Sequence, residues 1–179
     1  PAIGPFDRSA TSVQALAIAG NGAVYAGSFG HGIFRSADRG AIWESVGNGL
    51  TDPFILSLAV TREGIVYAGT FRGGIFRSRD EGKTWQPVNA GLRRLEVKAL
   101  MAAEEDLYAG TSDGVYRLHG VEDRWSVVTT GLDDTLVHAL AQSSDGTLYA
   151  GTSGKGILRF KRNSSGWVRL QHGLKNHEG

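Results

Sequence analysis

An all-β repeat fold, a β-propeller of four four-stranded antiparallel blades, is what the sequence predicts, and three observations carry the prediction. The tripeptide Tyr-Ala-Gly recurs from Tyr25 to Tyr67, Tyr108 and Tyr149, in steps of 42, 41 and 41 residues. One tryptophan per period keeps the same beat, and Trp43, Trp85, Trp125 and Trp167 are all the tryptophans of the chain. Each period closes on Gly-Leu, at Gly49-Leu50, Gly91-Leu92, Gly131-Leu132 and Gly173-Leu174. Four short strands in a period of about 42 residues is the pattern of a propeller blade.

The periods divide the chain into a leader (1–12), blade 1 (13–54), blade 2 (55–96), blade 3 (97–136) and blade 4 with a C-terminal tail (137–179), one propeller domain in all. Blade 2 shows the elements in order. Ile55 to Val60 alternates as a first strand, Arg62-Glu63-Gly64 turns the chain, and Ile65 to Thr70 returns as a second. Arg72-Gly73-Gly74 turns it again into a third strand, Ile75 to Ser78. Asp80-Glu81-Gly82-Lys83 leads into a fourth, Thr84 to Val88. A helical repeat is disfavoured because no window keeps apolar spacings of three and four without a glycine interrupting it.

The repeated residues read first as packing. A tryptophan at one fixed site per blade fills the widening gap between neighbours, where each ring buries about 150–250 Å². Trp43, Trp85, Trp125 and Trp167 are therefore expected to lie buried between blades. Small first-strand residues (Ala15, Ala17, Ser57, Ala59, Ala139, Ala141) suit the crowded axis, with Leu16, Leu58, Leu100 and Leu140 as their larger neighbours. Arg35, Arg77, Arg117 and Arg159 recur at one third-strand position and read as structural ion-pair or stacking residues.

Composition narrows the chemistry. With a formal net charge of +1 and no run of like charges, the chain lacks the basic footprint that nucleic acid or an anionic membrane surface requires. Neither is expected as a partner. Cysteine is absent, which removes disulfides, thiolate nucleophiles and thiolate metal sites together. His31, His119, His138, His172 and His177 show no metal-ligand spacing, and the glycine pairs sit between strands rather than before a helix. No metal and no cofactor are expected.

Ser36-Ala37-Asp38-Arg39-Gly40-Ala41-Ile42-Trp43 and Ser78-Arg79-Asp80-Glu81-Gly82-Lys83-Thr84-Trp85 resemble the Asp-box of BNR-repeat propellers, S-x-D-x-G-x-T-W. The second copy matches every defined position, and the first carries Ile42 for threonine. Blades 3 and 4 keep only Trp125 and Trp167. The wider pattern, from Val-Tyr-Ala-Gly-Thr through Gly-Gly-Ile-Phe-Arg-Ser to Gly-Leu, is similar to bacterial sortilin-like and BNR-type propellers and to photosystem II assembly-factor-like proteins. It runs from about residue 13 to 174. The resemblance implies that Ser36, Asp38, Gly40 and Trp43, with Ser78, Asp80, Gly82 and Trp85, are structural. It also implies a ligand face on the opposite rim and favours an extracellular or periplasmic location.

With strands lettered a to d outward from the axis, the b-to-c and d-to-a connections share that rim, and these segments differ most between copies. Phe29, His31, Phe71, Arg72, Arg93, Arg94, Asp113 and Lys155 are the candidate ligand-binding residues, because exposed aromatic and arginine side chains together are what recognition surfaces favour. No residue is assigned a catalytic role. Asp133-Asp134 and Asp113 are the nearest to a carboxylate pair, yet acidic turn residues are ordinarily just solvated. The expected function is non-catalytic recognition or scaffolding of a protein or glycan partner; the alternatives are a piece of a BNR-type glycoside hydrolase or a propeller lectin. Four blades leave three arrangements open: a closed ring of four, half of an eight-bladed ring completed by a second copy, or part of a longer chain. Self-association is favoured, because an open row would expose two apolar blade faces.

Overall fold

In a computed structural model of the chain, residues 12–120, 122–128, 131–162 and 164–170 are described. The leader before Ser12, and the tail that holds His172, Gly173-Leu174 and His177, lie outside them. All regular structure among the described residues is β. Four separate antiparallel sheets form in chain order, each with its strands in sequence order. Blade 1 is β1 (Val13–Ile18), β2 (Val24–Ser28), β3 (Ile33–Ser36) and β4 (Glu44–Ser45). Blade 2 is β5 (Ile55–Val60), β6 (Val66–Thr70), β7 (Ile75–Ser78) and β8 (Gln86–Pro87). Blade 3 is β9 (Val97–Ala103), β10 (Asp106–Thr111), β11 (Gly114–His119) and β12 (Ser126–Val127). Blade 4 is β13 (Val137–Gln142), β14 (Leu148–Thr152), β15 (Gly156–Phe160) and β16 (Val168–Arg169). The outermost strands are shorter than the expected Thr84 to Val88, each holding only two paired residues, both exposed.

Blades meet through their first strands, β1 on β5, β5 on β9 and β9 on β13. A register shift between the first and third residues of β1, β5 and β13 turns the strand so that residues three apart share a face. Each joint then sets large residues into small ones. Ile55 and Leu58 of blade 2 lie over Gly27, whose added Cβ would sit 2.5 Å from Ile55 Cγ2, and Ala15 and Ala17 pack in the same cluster. Val97 fills the same socket at Gly69, and Val137 the one at Gly110.

The tryptophans latch these joints. Trp85 donates its indole N–H to Val46 O at 2.9 Å and its backbone N–H to Asn48 O at 2.9 Å; Trp125 repeats both bonds, to Val88 O and Ala90 O, each at 2.8 Å. Trp85 is 4% exposed and Trp125 2%. The expected burial fails for the other two, since Trp43 and Trp167 are only half-buried. No blade precedes that of Trp43 among the described residues, and Trp43 donates to Gly40 O of its own turn, while the Trp167 ring lies 5.5 Å from that of Phe160 in its own blade.

Among the described residues, β13 and β1 make no joint comparable to the other three. The four blades form an open row. Leu16 is 66% exposed and Ile18 71%, and Ala139 and Ala141 are also exposed.

The c-to-d hairpins of blades 1 and 2 share one hydrogen-bonded turn. Ser36 Oγ accepts from Gly40 N–H and donates to Asp38 Oδ1, which accepts from Ile42 N–H at 2.8 Å. Ser78, Asp80, Gly82 and Thr84 repeat it, and the Thr84 hydroxyl adds a 2.6 Å bond to Asp80 Oδ2. The Thr84 hydroxyl and backbone N–H, with the Ser78 hydroxyl, hold the Asp80 carboxyl down at about 2, against an ordinary value of 3.8. A depressed carboxylate contributes stability above its ordinary value and loses it as pH falls through its folded one. Asp80→Asn should therefore lower the melting temperature at neutral pH, and the gap to wild type should narrow as pH falls from 3.8 to about 2. Thermal unfolding across that range checks it; a constant gap would contradict the bonding.

Candidate functional site

The b-to-c and d-to-a connections are stitched into one rim. Gly30 and Gly32 donate to Pro53 O, Phe71 N–H to Phe54 O, Gly74 N–H to Leu95 O, and Ser153 N–H to Leu136 O, all between 2.9 and 3.1 Å. Asp52 is the buried anchor of this rim. Its carboxylate accepts from Phe54 N–H at 3.0 Å, Arg72 N–H at 2.7 Å and Gly73 N–H at 2.8 Å. Burial pushes the Asp52 carboxyl up, but those three N–H groups outweigh burial and hold it below the usual range.

This anchoring fixes an aromatic cluster. The Phe29 ring lies 4.8 Å from Phe54 at an interplanar angle of 57°, and 6.1 Å from Phe71 at 63°. The Arg72 guanidinium lies 5.1 Å from the centre of the Phe71 ring. Phe29 is 43% exposed and Phe54 38%, although two backbone bonds tie their loops together and a third ties Phe54 to the Phe71 loop. Arg72 is exposed beside them; Arg93, Arg94 and Leu95 are exposed on the next connection, which the Gly74 to Leu95 bond ties to the Arg72 loop, and Arg93 neighbours Tyr116 of blade 3. The result is an apolar centre with one guanidinium, Arg72, at its edge.

The predicted residues do not all gather there. Phe29, Phe71 and Arg72 lie on blades 1 and 2 at this patch, His31 is exposed in the Phe29 loop, and Arg93 and Arg94 are exposed on the connection from blade 2 to blade 3. Asp113 is on blade 3, with its carboxylate taken by the Tyr116 hydroxyl at 3.0 Å and the Thr111 hydroxyl at 2.9 Å. Lys155 stands on blade 4, 3.4 Å from Gly131 O. Asp133 and Asp134 are exposed turn residues, Asp134 with φ 52°.

The concavities lie on the other rim, which sequence reasoning passed over. A cleft of about 810 Å³ between blades 3 and 4 is lined by Tyr108, Arg117, Asp145, Phe160, Lys161 and Arg162, and a second of about 710 Å³ holds Asp106 and His119. Buried Asp106 binds Arg117 Nε at 2.9 Å and His119 Nδ1 at 2.7 Å, and accepts from the Tyr108 hydroxyl at 3.2 Å. Burial raises its carboxyl, and His119 and Arg117 together bring it below the usual range. The cluster has a packing origin. Arg35 reaches Glu81 and Arg77 reaches Asp123, each on the turn of the next blade. Blade 4 presents Lys161 and Arg162 there instead, so Arg117 turns back onto its own blade. The signal was a break in the repeat: Asp106 stands where the other blades carry Ala23, Ile65 and Thr147.

Four sheets fanned about their first strands, with two distinct rims, define a β-propeller. No protein-family model matches the chain, and no curated protein sequence matches it significantly. Solved structures do. The extracellular domain assigned to a hybrid two-component system of B. thetaiotaomicron superimposes with a TM-score of 0.79 at 19% identity, over 94% of this chain and 23% of that one. The GH74 xyloglucanase from Xanthomonas campestris gives 0.70 at 17%, over 94% and 32%. The computationally designed Ika4 protein gives 0.65 at 13%, over 89% and 97%. These likenesses establish the propeller fold. The chain spans about a quarter to a third of the two natural proteins.

Proposed function

We propose that this chain is a non-catalytic recognition propeller that binds a protein segment on the Phe29, Phe54, Phe71 and Arg72 rim. The observation that carries the reading is a three-phenylalanine cluster, with Phe29 and Phe54 exposed, held by a buried carboxylate and edged by Arg72. Exposed aromatics fixed in place lose little freedom on binding, which is what an anchor site needs. A protein segment suits the geometry better than a sugar. The rings tilt toward one another by about 60° and Arg72 covers Phe71, so no open flat face is offered for stacking, while an apolar side chain flanked by acids meets both the centre and the border. An extracellular location belongs to this proposal, supported by the extracellular domain among the similar structures. The likeness of the hairpins at Asp38 and Asp80 to the Asp-box supports BNR-type ancestry in the same way.

Selection of a displayed random-peptide library on the protein tests the reading. Enriched peptides should carry an aromatic or aliphatic residue next to Asp or Glu. Phe29→Ala and Arg72→Ala should each weaken their binding by about tenfold or more, the usual loss at an anchor residue. Binding on a glycan panel that depends on Phe29 would replace this reading with a propeller lectin, and cleavage of a glycan with a glycoside hydrolase.

A further inference from the structure

The two ends of the blade row are the two halves of one joint. The leading face of each blade that follows another carries large residues: Ile55 and Leu58 in blade 2, Val97 and Leu100 in blade 3, Val137 and Leu140 in blade 4. Blade 1 carries Val13, Leu16 and Ile18 at the corresponding positions, and all three are exposed. The trailing face of each blade that precedes another is small, with a glycine socket in its second strand, and Gly27, Gly69 and Gly110 are filled by Ile55, Val97 and Val137. Blade 4 carries Ala139, Ala141 and Gly151. An added Cβ at Gly151 would meet only Ala139, at 3.6 Å and beyond, so this socket is empty.

From this we infer that a second copy of the chain seats its blade 1 on blade 4 of the first, with Val13 entering the Gly151 socket. The partner is a second copy because both halves of the joint, knob and socket, are present on one molecule. Two copies meeting in this way about a two-fold axis cover all four free faces at once and leave none for a third. Leu170 takes the place of Val46 and Val88, whose carbonyls accept an indole N–H in the inner joints; its own N–H bonds Ile157 O as theirs bond Ile33 O and Ile75 O. Val13, Leu16 and Ile18 left in water on one end, and the small apolar face of Ala139 and Ala141 on the other, are what such an interface covers.

One residue at this joint has the wrong sign. Arg35 and Arg77 pair with Glu81 and Asp123 of the following blade. Blade 4 offers Arg159 at that site, and blade 1 of the second copy answers with Arg39, the counterpart of Glu81. The joint forms against this repulsion, and reversing it should tighten the assembly.

Sedimentation equilibrium of the chain at micromolar concentration, with three variants, tests the inference. The wild type should show twice its 19.1 kDa mass. Gly151→Val fills the socket where the single chain has room, and Leu16→Glu places a charge on the free face; each should give a 19.1 kDa monomer with an unchanged circular dichroism spectrum. Arg39→Glu should lower the dissociation constant by about three- to tenfold, the size expected when an exposed like-charge pair becomes an opposite one. A wild-type monomer would overturn the inference, because the faces would then await a different partner. So would a dimer that survives both Gly151→Val and Leu16→Glu, or an Arg39→Glu dimer no tighter than wild type. Loss of peptide binding at the rim with the dimer intact would count against the proposed function alone.

Discussion

Trp85→Ala is expected to lower the unfolding free energy by about 3–5 kcal/mol, the cost of emptying a buried tryptophan site. The ring is nearly sealed between blades 1 and 2, and its indole N–H is bonded to Val46 O, so removal leaves both a cavity and a carbonyl without its donor. The same substitution at Trp43 should cost less, about 1–2 kcal/mol, because that ring is already partly in water. The comparison belongs in the Gly151→Val background, where Trp43 stays at a free end. Urea unfolding measures both. Equal losses would mean that the tryptophans act within their own blades rather than across joints.

Gly91→Ala should be the second most damaging change. Gly91 has φ 94°, where any side chain adds about 1–2 kcal/mol of strain. Its Cβ would also run into the Trp125 carbonyl oxygen and sit 3.0 Å from the carbonyl carbon, and backbone cannot swing aside as a side chain can. Overpacking of this kind adds about 1–3 kcal/mol, for a total of roughly 2–5 kcal/mol. Gly131 supplies the control, having φ 103° but no atom within 4 Å of an added Cβ. Gly131→Ala should show the strain alone. If both variants unfold at the same denaturant concentration, the close approach of Gly91 to Trp125 is not what holds blades 2 and 3 together.

The fold was legible because each blade restates it. A residue that returns every 41 or 42 positions must serve geometry common to all copies, and tyrosine, tryptophan and glycine do so here. Burial was legible only where the surroundings also repeat. Trp43 and Trp85 occupy the same place in their blades, yet only Trp85 has a blade in front of it, and nothing within the period records that difference. The rim was legible in part. Phe29, Phe71 and Arg72 stand out because they differ between copies, whereas Phe54 and Asp52 lie in a connection between blades that no repeat marks, and the sequence carries no sign that the Asp52 carboxylate is buried and fixes the loops. Asp106 was hidden for the opposite reason: it sits in a strand whose tyrosine motif drew attention to what is shared rather than to what departs from it.

The outer strands limit how the row can grow. An unpaired strand edge is a template on which another chain can add hydrogen bonds without end, in the manner of a fibril. Here that edge is two residues long in each blade, with Pro87 in β8 lacking the N–H such a template needs and Glu44 and Arg169 bringing charge to β4 and β16. Lateral zippering is thereby discouraged at the periphery, so the exposed apolar side chains of β1, Val13, Leu16 and Ile18, lie on the flat side of a blade and not along a free strand edge, and a partner covering them would pack face to face instead of extending a sheet.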